Sequence, residues 1–124
     1  MKMHNPLFLA VALAAKARIK EIDVHEAKQQ IDSANPPVVV DVREDNEWAT
    51  GHLPKAIHIS KGVIERDIEK SMPDLNTPMI LYCSGGYRSA VATDALNKMG
   101  YKNVCSMEGG SNAWQAAGYT IETT

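Results

Sequence analysis

The sequence predicts an α/β fold: a parallel sheet covered by helices on both faces. Two observations carry this. Segments of strand character alternate with segments of helical periodicity four or five times from Ile19 onward, the signature of successive βαβ units. Two of the strand segments, Val38-Val39-Val40-Asp41-Val42 and Met79-Ile80-Leu81-Tyr82, run without polar alternation, as strands buried on both faces do.

The first element has two readings. Met1-Lys2 precedes an apolar run from Leu7 to Ala15, which is followed by Lys16-Ala17 and is too short to span a bilayer. As a secretory leader spanning Met1 to Ala17, it would export the protein. As a helix, it has Asn5 as N-cap, Pro6 at the first helical position and a stripe of Phe8, Val11, Ala15, Ile19 and Ile22, with Lys16, Arg18 and Lys20 suiting its C-terminal end. The cap signature favours the helix. The expected organisation is therefore a helical extension over 1–18 and one domain over 19–124.

Ile19 to Asp23 reads as a short strand, and Asp23 caps a helix from Val24 to Ser33, with Glu26 three residues after the cap. Pro36-Pro37 ends that helix. Val38 to Val42 is β-branched and reads as a central strand. Asp41, Arg43 and Glu44 lie at its carboxyl end, where open α/β sheets bind ligands. Asp41 and Arg43 are expected to form an ion pair or network that supports the site, and Glu44 and Asp45 to be solvated loop charges. Asp45 to Thr50 reads as a single helical turn containing Glu47-Trp48, followed by a Gly51-His52-Leu53-Pro54 loop. Ala56 to Ser60 alternates, so its strand should be exposed on one side, with His58 at the surface.

Val63 to Met72 is an amphipathic helix with Val63, Ile64, Ile68 and Met72 on its apolar side, stopped by Pro73. Pro78 introduces the buried strand Met79 to Tyr82. Ala90 to Met99 is helical, with Gly100 as its stop. Asn103 to Met107 resembles a last strand, and Asn112 to Ala117 a short helix ended by Gly118.

Chemistry concentrates at Cys83, which closes the strand Met79–Tyr82. Between it and the next helix stand Ser84-Gly85-Gly86-Tyr87-Arg88-Ser89. A helix N-terminus offers backbone N–H groups without intrahelical partners and a partial positive charge. Adjacent glycines allow successive N–H groups to turn inward as an anion-binding concavity, and Arg88 adds a cation. A thiol so placed is expected to favour its thiolate, the nucleophilic form. Cys83 thus reads as a reactive cysteine in an anion cradle made by residues 84–89.

Composition narrows the rest. The chain has 124 residues, two cysteines and a formal net charge of −2, which suits one domain with a core of its own and no disulfide framework. A free reactive thiol suggests a reducing, cytoplasmic setting. Lys and Arg are spread rather than massed, so no nucleic-acid partner is expected, and no membrane partner either. Two cysteines and four scattered histidines lack the paired spacing of a metal site. Cys105, within a short apolar strand, reads as core more readily than as a resolving thiol for Cys83. Trp48 and Trp114 read as large packing anchors, and Gly109-Gly110 as a tight turn near the cradle.

Taken together, Val40-Asp41-Val42-Arg43, Glu47-Trp48 through Gly51-His52-Leu53-Pro54-Lys55-Ala56-Ile57-His58-Ile59, Tyr82-Cys83 through Arg88-Ser89, and Glu108-Gly109-Gly110 with Trp114 resemble a single-domain rhodanese over roughly Ile19 to Thr120. The resemblance implies a five-stranded parallel sheet and transfer of a sulfane sulfur through a persulfide on Cys83. The donor would be thiosulfate or a small persulfide, the acceptor cyanide, a thiol or a protein partner, and no metal or organic cofactor would be needed. It also implies that Ser84 to Ser89 hold the persulfide and that Arg88 orients an anionic donor. Cys83 and Arg88 enclose four residues, the count of the sulfurtransferases; the related phosphatases have one more. A persulfide carrier for one protein partner is the alternative, and a phosphatase or arsenate reductase the more distant one.

Overall fold

The computed structural model describes residues 4–123, so the Met1-Lys2 start of the leader reading lies outside the described residues. The elements in chain order are α1 (Pro6–Lys16), β1 (Glu21–Ile22), α2 (Val24–Ile31), β2 (Val38–Asp41), α3 (Asp45–Trp48), β3 (Ile57–His58), α4 (Ile64–Ser71), β4 (Met79–Tyr82), α5 (Tyr87–Met99), β5 (Val104–Met107) and α6 (Gly110–Ala116). The strands form one five-stranded sheet in the order β1-β5-β4-β2-β3, and every pairing is parallel.

The all-apolar β4 takes the central place, and its four residues are all buried. Its side chains alternate between two cores, as strand geometry requires. Met79, Leu81 and Cys83 join Val40, Val42, Ile64, Ile68 and Leu96 on the face covered by α4 and α5. Ile80 and Tyr82 join Val39, Ala27, Met107 and Trp114 on the face covered by α2 and α6. The two edge strands are each two residues long, shorter than expected, and short edges limit pairing with other chains.

Alternation also decides the fate of Cys105. It pairs with Ile80 and lies in the α2/α6 core, whereas Cys83 lies in the other. Cys83 is also three residues further along β4, roughly 10 Å at about 3.3 Å per residue. A disulfide needs Cα atoms within about 7 Å, so this geometry rules out a bridge without rearrangement. Burial pushes the Cys105 thiol up to about 11, as for a packing residue.

Helix α1 forms as the cap signature predicted, with Pro6 in its first turn, although Asn5 makes no side-chain cap bond. Its inner face differs from the predicted stripe. Val11 is 55% exposed, whereas Ala12 and Ala15 are buried in contact with α5, because two small side chains let the helices approach closely. Arg18 then clamps the pair through Asp94, with Nε and Nη2 donating at 3.1 and 2.7 Å. No helix among the described residues is long and apolar enough to cross a membrane.

His58 departs from its expected surface position. Trp48 lies over its ring with centroids 5.0 Å apart and stacks on His52 at 3.7 Å, so the chain after β2 covers a face that the alternation left open.

Candidate active site

The carboxyl end of β4 delivers Cys83 to the floor of a concave loop. Gly86 takes a left-handed backbone angle, φ 95°, and serves as N-cap of α5. The helix therefore begins at Tyr87, three residues earlier than predicted, and Tyr87, Arg88 and Ser89 form its first turn. Backbone N–H groups of Gly86 and Ser89 point at Cys83 Sγ, at 3.1 and 3.4 Å. The thiol donates to Ser89 Oγ at 3.5 Å, and Ser89 Oγ shares a 2.8 Å hydrogen bond with Ser106 Oγ on β5. Ser106 had no assigned role, since nothing in local sequence ties it to the turn.

The loop turns its N–H groups inward because its carbonyls are held outward. Ser111 N donates to Cys83 O at 2.8 Å and Asn112 N to Ser84 O at 3.0 Å, both from the first turn of α6. This needs close approach: a Cβ built on Gly110 would lie 2.3 Å from Cys83 O. Gly109-Gly110 thus makes the tight turn beside the cradle that the sequence suggested. Of the Gly85-Gly86 pair, only Gly86 has a positive φ; a Cβ on Gly85 would meet just the Tyr87 ring, at 3.8 Å.

Arg88 is not a free cation. Its guanidinium makes a fork with Glu47 at 2.6 and 3.0 Å, and Ser84 Oγ donates to the same carboxylate at 3.2 Å. Glu47 is the main site residue that sequence reasoning missed. Local sequence places it only in a helical turn, and no local rule pairs residues 41 positions apart. Arg88 holds the Glu47 carboxyl down to about 2.

The depressed Glu47 value has a sign. A carboxylate with a lowered folded-state pKa contributes stability above its ordinary value, here 4.5, and loses it as pH falls through the folded value. Glu47→Gln is therefore expected to lower the thermal midpoint at pH 7, with the gap to wild type closing between pH 4.5 and about 2. Melting curves across that window check it. A gap that stays constant with pH would refute the ion pair's contribution.

Asp41 and Arg43 form the expected ion pair, buried to 0% and 6% exposure. Arg43 Nη2 donates to Asp41 at 2.8 Å and to Gly51 O at 2.6 Å. The Tyr82 hydroxyl donates to Asp41 at 2.5 Å and accepts from Leu53 N at 3.0 Å. Burial, reinforced by Asp41, pushes the Tyr82 phenol up and keeps it a donor. This network ties Asp41 and Arg43 to the 51–53 loop, and Tyr82 joins it to the strand that leads to Cys83. β4 alternation sends the Tyr82 and Cys83 side chains to opposite faces of the sheet.

Above Cys83 opens a cavity of about 910 Å³, lined by Cys83, Ser84, Tyr87 and Arg88 of the cradle, by Glu44, Glu47 and Lys61, and by His4 and Phe8 at the N-terminus. Among the described residues, no group of three or more His, Cys, Asp or Glu side chains is placed to hold a metal ion.

A buried thiol ringed by inward N–H groups, on the carboxyl edge of a five-stranded parallel sheet, has close relatives. The family model described as "Rhodanese-like domain" matches residues 23–117. The chain belongs to the rhodanese-like domain family. Among its relatives is "Putative sulfurtransferase YtwF" of Bacillus subtilis, 36% identical over 97 residues, which cover 78% of this chain and 91% of that protein. Another, "Putative sulfur carrier protein YrkF" of the same organism, is 34% identical over 98 residues, covering 77% of this chain and 51% of that protein. A solved protein of unknown function from Rhodopseudomonas palustris, titled a possible tyrosine phosphatase, superposes with a TM-score of 0.84 at 27% identity, covering 98% of this chain and 99% of that one. The rhodanese-like family here is thus one of sulfurtransferases and sulfur carriers, with α1 lying before the matched domain.

Proposed function

We propose that this rhodanese-like protein is a sulfurtransferase that carries a sulfane sulfur as a persulfide on Cys83. In the first step, the Cys83 thiolate attacks the outer sulfur of thiosulfate or a small persulfide. A new S–S bond forms at Sγ, the donor's own S–S bond breaks, and its electron pair leaves with sulfite or a thiolate. In the second step, a thiol or cyanide attacks the outer sulfur, the Cys83–sulfur bond breaks, and the thiolate returns. This order gives ping-pong kinetics. Substrate sulfur supplies the chemistry, so the cycle calls for no metal or organic cofactor.

The observation that carries this reading is the convergence of Gly86 N and Ser89 N on Cys83 Sγ, with the loop carbonyls held outward by α6. Such inward N–H groups offer hydrogen bonds to the outer sulfur of a persulfide held at this position. Ser84, Gly85, Tyr87 and Arg88 complete its walls. By the family resemblance, the four residues between Cys83 and Arg88 favour sulfur transfer over phosphate chemistry. A second reading, a carrier handing its persulfide to a protein partner, is favoured by the relative described as a sulfur carrier. Two free cysteines suit action in a reducing, cytoplasmic compartment.

Intact-protein mass spectrometry tests the proposal. Incubation with thiosulfate or glutathione persulfide is expected to add about 32 Da, removable by a reducing agent, as one covalently held sulfur requires. No adduct from any donor would overturn it. An adduct with turnover to cyanide supports the enzyme, and an adduct without turnover the carrier.

A further inference from the structure

We infer that the N-terminal segment forms the specificity wall of the Cys83 cavity, and that His4 and Phe8, with Tyr87, select an organic thiol or persulfide of amino-acid or peptide type. The inference rests on the persulfide reading and deepens it.

Two of the rim's three rings come from before the family match. The family match begins at residue 23, whereas His4 precedes α1 and Phe8 lies in its first turn. Both line the cavity above Cys83. The His4 ring sits 4.5 Å from the Tyr87 ring and 5.6 Å from that of Phe8, so the three form a continuous aromatic rim. Lys16 Nζ lies over the Tyr87 ring at 5.2 Å while bound to Glu21 at 2.5 Å, which fixes Tyr87 beside Arg88. Buried Ala12 and Ala15 and the Arg18–Asp94 fork hold α1 to α5, so the rim is anchored at both ends.

Size and charge name the ligand class. A cavity of about 910 Å³ falls within the roughly 300–1,000 Å³ of sites for organic ligands, and an inorganic ion such as thiosulfate would leave most of it unfilled. A small dianion also meets no uncommitted charge at Arg88, whose guanidinium is neutralised by Glu47. The other charged side chains on the wall are Glu44 and Lys61, one of each sign. That pairing suits a molecule bearing both an ammonium and a carboxylate, with an apolar body against the aromatic rim.

Steady-state kinetics with two donors and one acceptor test this. Glutathione persulfide and thiosulfate serve as donors, with cyanide as acceptor. In Phe8→Ala, the ratio of kcat/KM for the peptide persulfide to that for thiosulfate is expected to fall about tenfold, the scale of one aromatic contact, and to do so through KM. Phe8→Leu, which retains packing volume, and His4→Ala should move the ratio in the same direction. Leu13→Ser, on the outward side of α1 where Leu13 is 51% exposed, should leave it at the wild-type value. A ratio unchanged within twofold in all three rim variants, or shifted equally by Leu13→Ser, would overturn the wall. Wild-type protein that takes no 32 Da adduct from either donor would overturn the persulfide reading along with it, whereas an adduct with an unmoved ratio would sink the wall alone.

Discussion

Cys83→Ser is expected to lower sulfur transfer by about 10⁴-fold or more, the scale on which removal of a catalytic nucleophile acts, while the fold persists. A serine hydroxyl neither ionises near neutral pH nor forms a persulfide, so both steps lose their reacting atom. The substitution is mild in other respects. Cys83 is 1% exposed, and its sulfur accepts hydrogen bonds from Gly86 N and Ser89 N, which a hydroxyl oxygen of slightly smaller size accepts as well. The measurement is kcat/KM with both donors beside a thermal melt. Turnover within tenfold of wild type would remove Cys83 from the mechanism, and a collapsed melt would show that its role includes packing.

Gly110→Ala is expected to cost about 2–6 kcal/mol of stability, combining a non-glycine residue held at positive φ, about 1–3 kcal/mol, with overpacking of about 1–3 kcal/mol. Gly110 has φ 57°, and an added Cβ would stand 2.3 Å from Cys83 O and 2.5 Å from Ser84 C. Those are backbone atoms that cannot swing aside. Relief requires α6 to back away, which breaks the bonds from Ser111 N and Asn112 N to the loop carbonyls and frees the cradle to turn. Activity should therefore fall even in the folded fraction. Gly85→Ala provides the contrast: its Cβ meets only the Tyr87 ring, at 3.8 Å, and the stability change should stay within about 0.5 kcal/mol. Urea midpoints for the two variants decide the matter. Equal midpoints would mean that the α6 contact does not shape the loop.

The site was legible wherever its parts are neighbours in sequence. Cys83, the Gly-rich turn and Arg88 follow one another, and the strand-to-helix change around them is written in periodicity alone. The sequence misplaced the start of α5 because only the left-handed backbone of Gly86 admits Tyr87 to Ser89 to the helix. The partner that holds Arg88, Glu47, is not legible locally because it comes from α3. Asp41 and Arg43 are pairable from sequence, being two residues apart at the carboxyl end of β2, yet their further partners Tyr82 and Gly51 tie them to a loop on the other side of the sheet.

By itself, the sequence determined the parallel α/β order, the two-sided burial of β2 and β4, the thiol at the end of a strand and the N-terminal helix. Each of these follows from local patterning, since burial on both faces and helix caps leave their mark within a few residues. The tertiary structure alone decided that Glu47 neutralises Arg88, that α6 holds the carbonyls of Cys83 and Ser84 outward, that Cys105 lies in a separate core from Cys83, and that His4 and Phe8 reach the cavity. Those are contacts between elements far apart in the chain. They depend on strand order and on how closely small residues such as Gly110, Ala12 and Ala15 let backbones approach, and neither quantity is encoded in any single stretch.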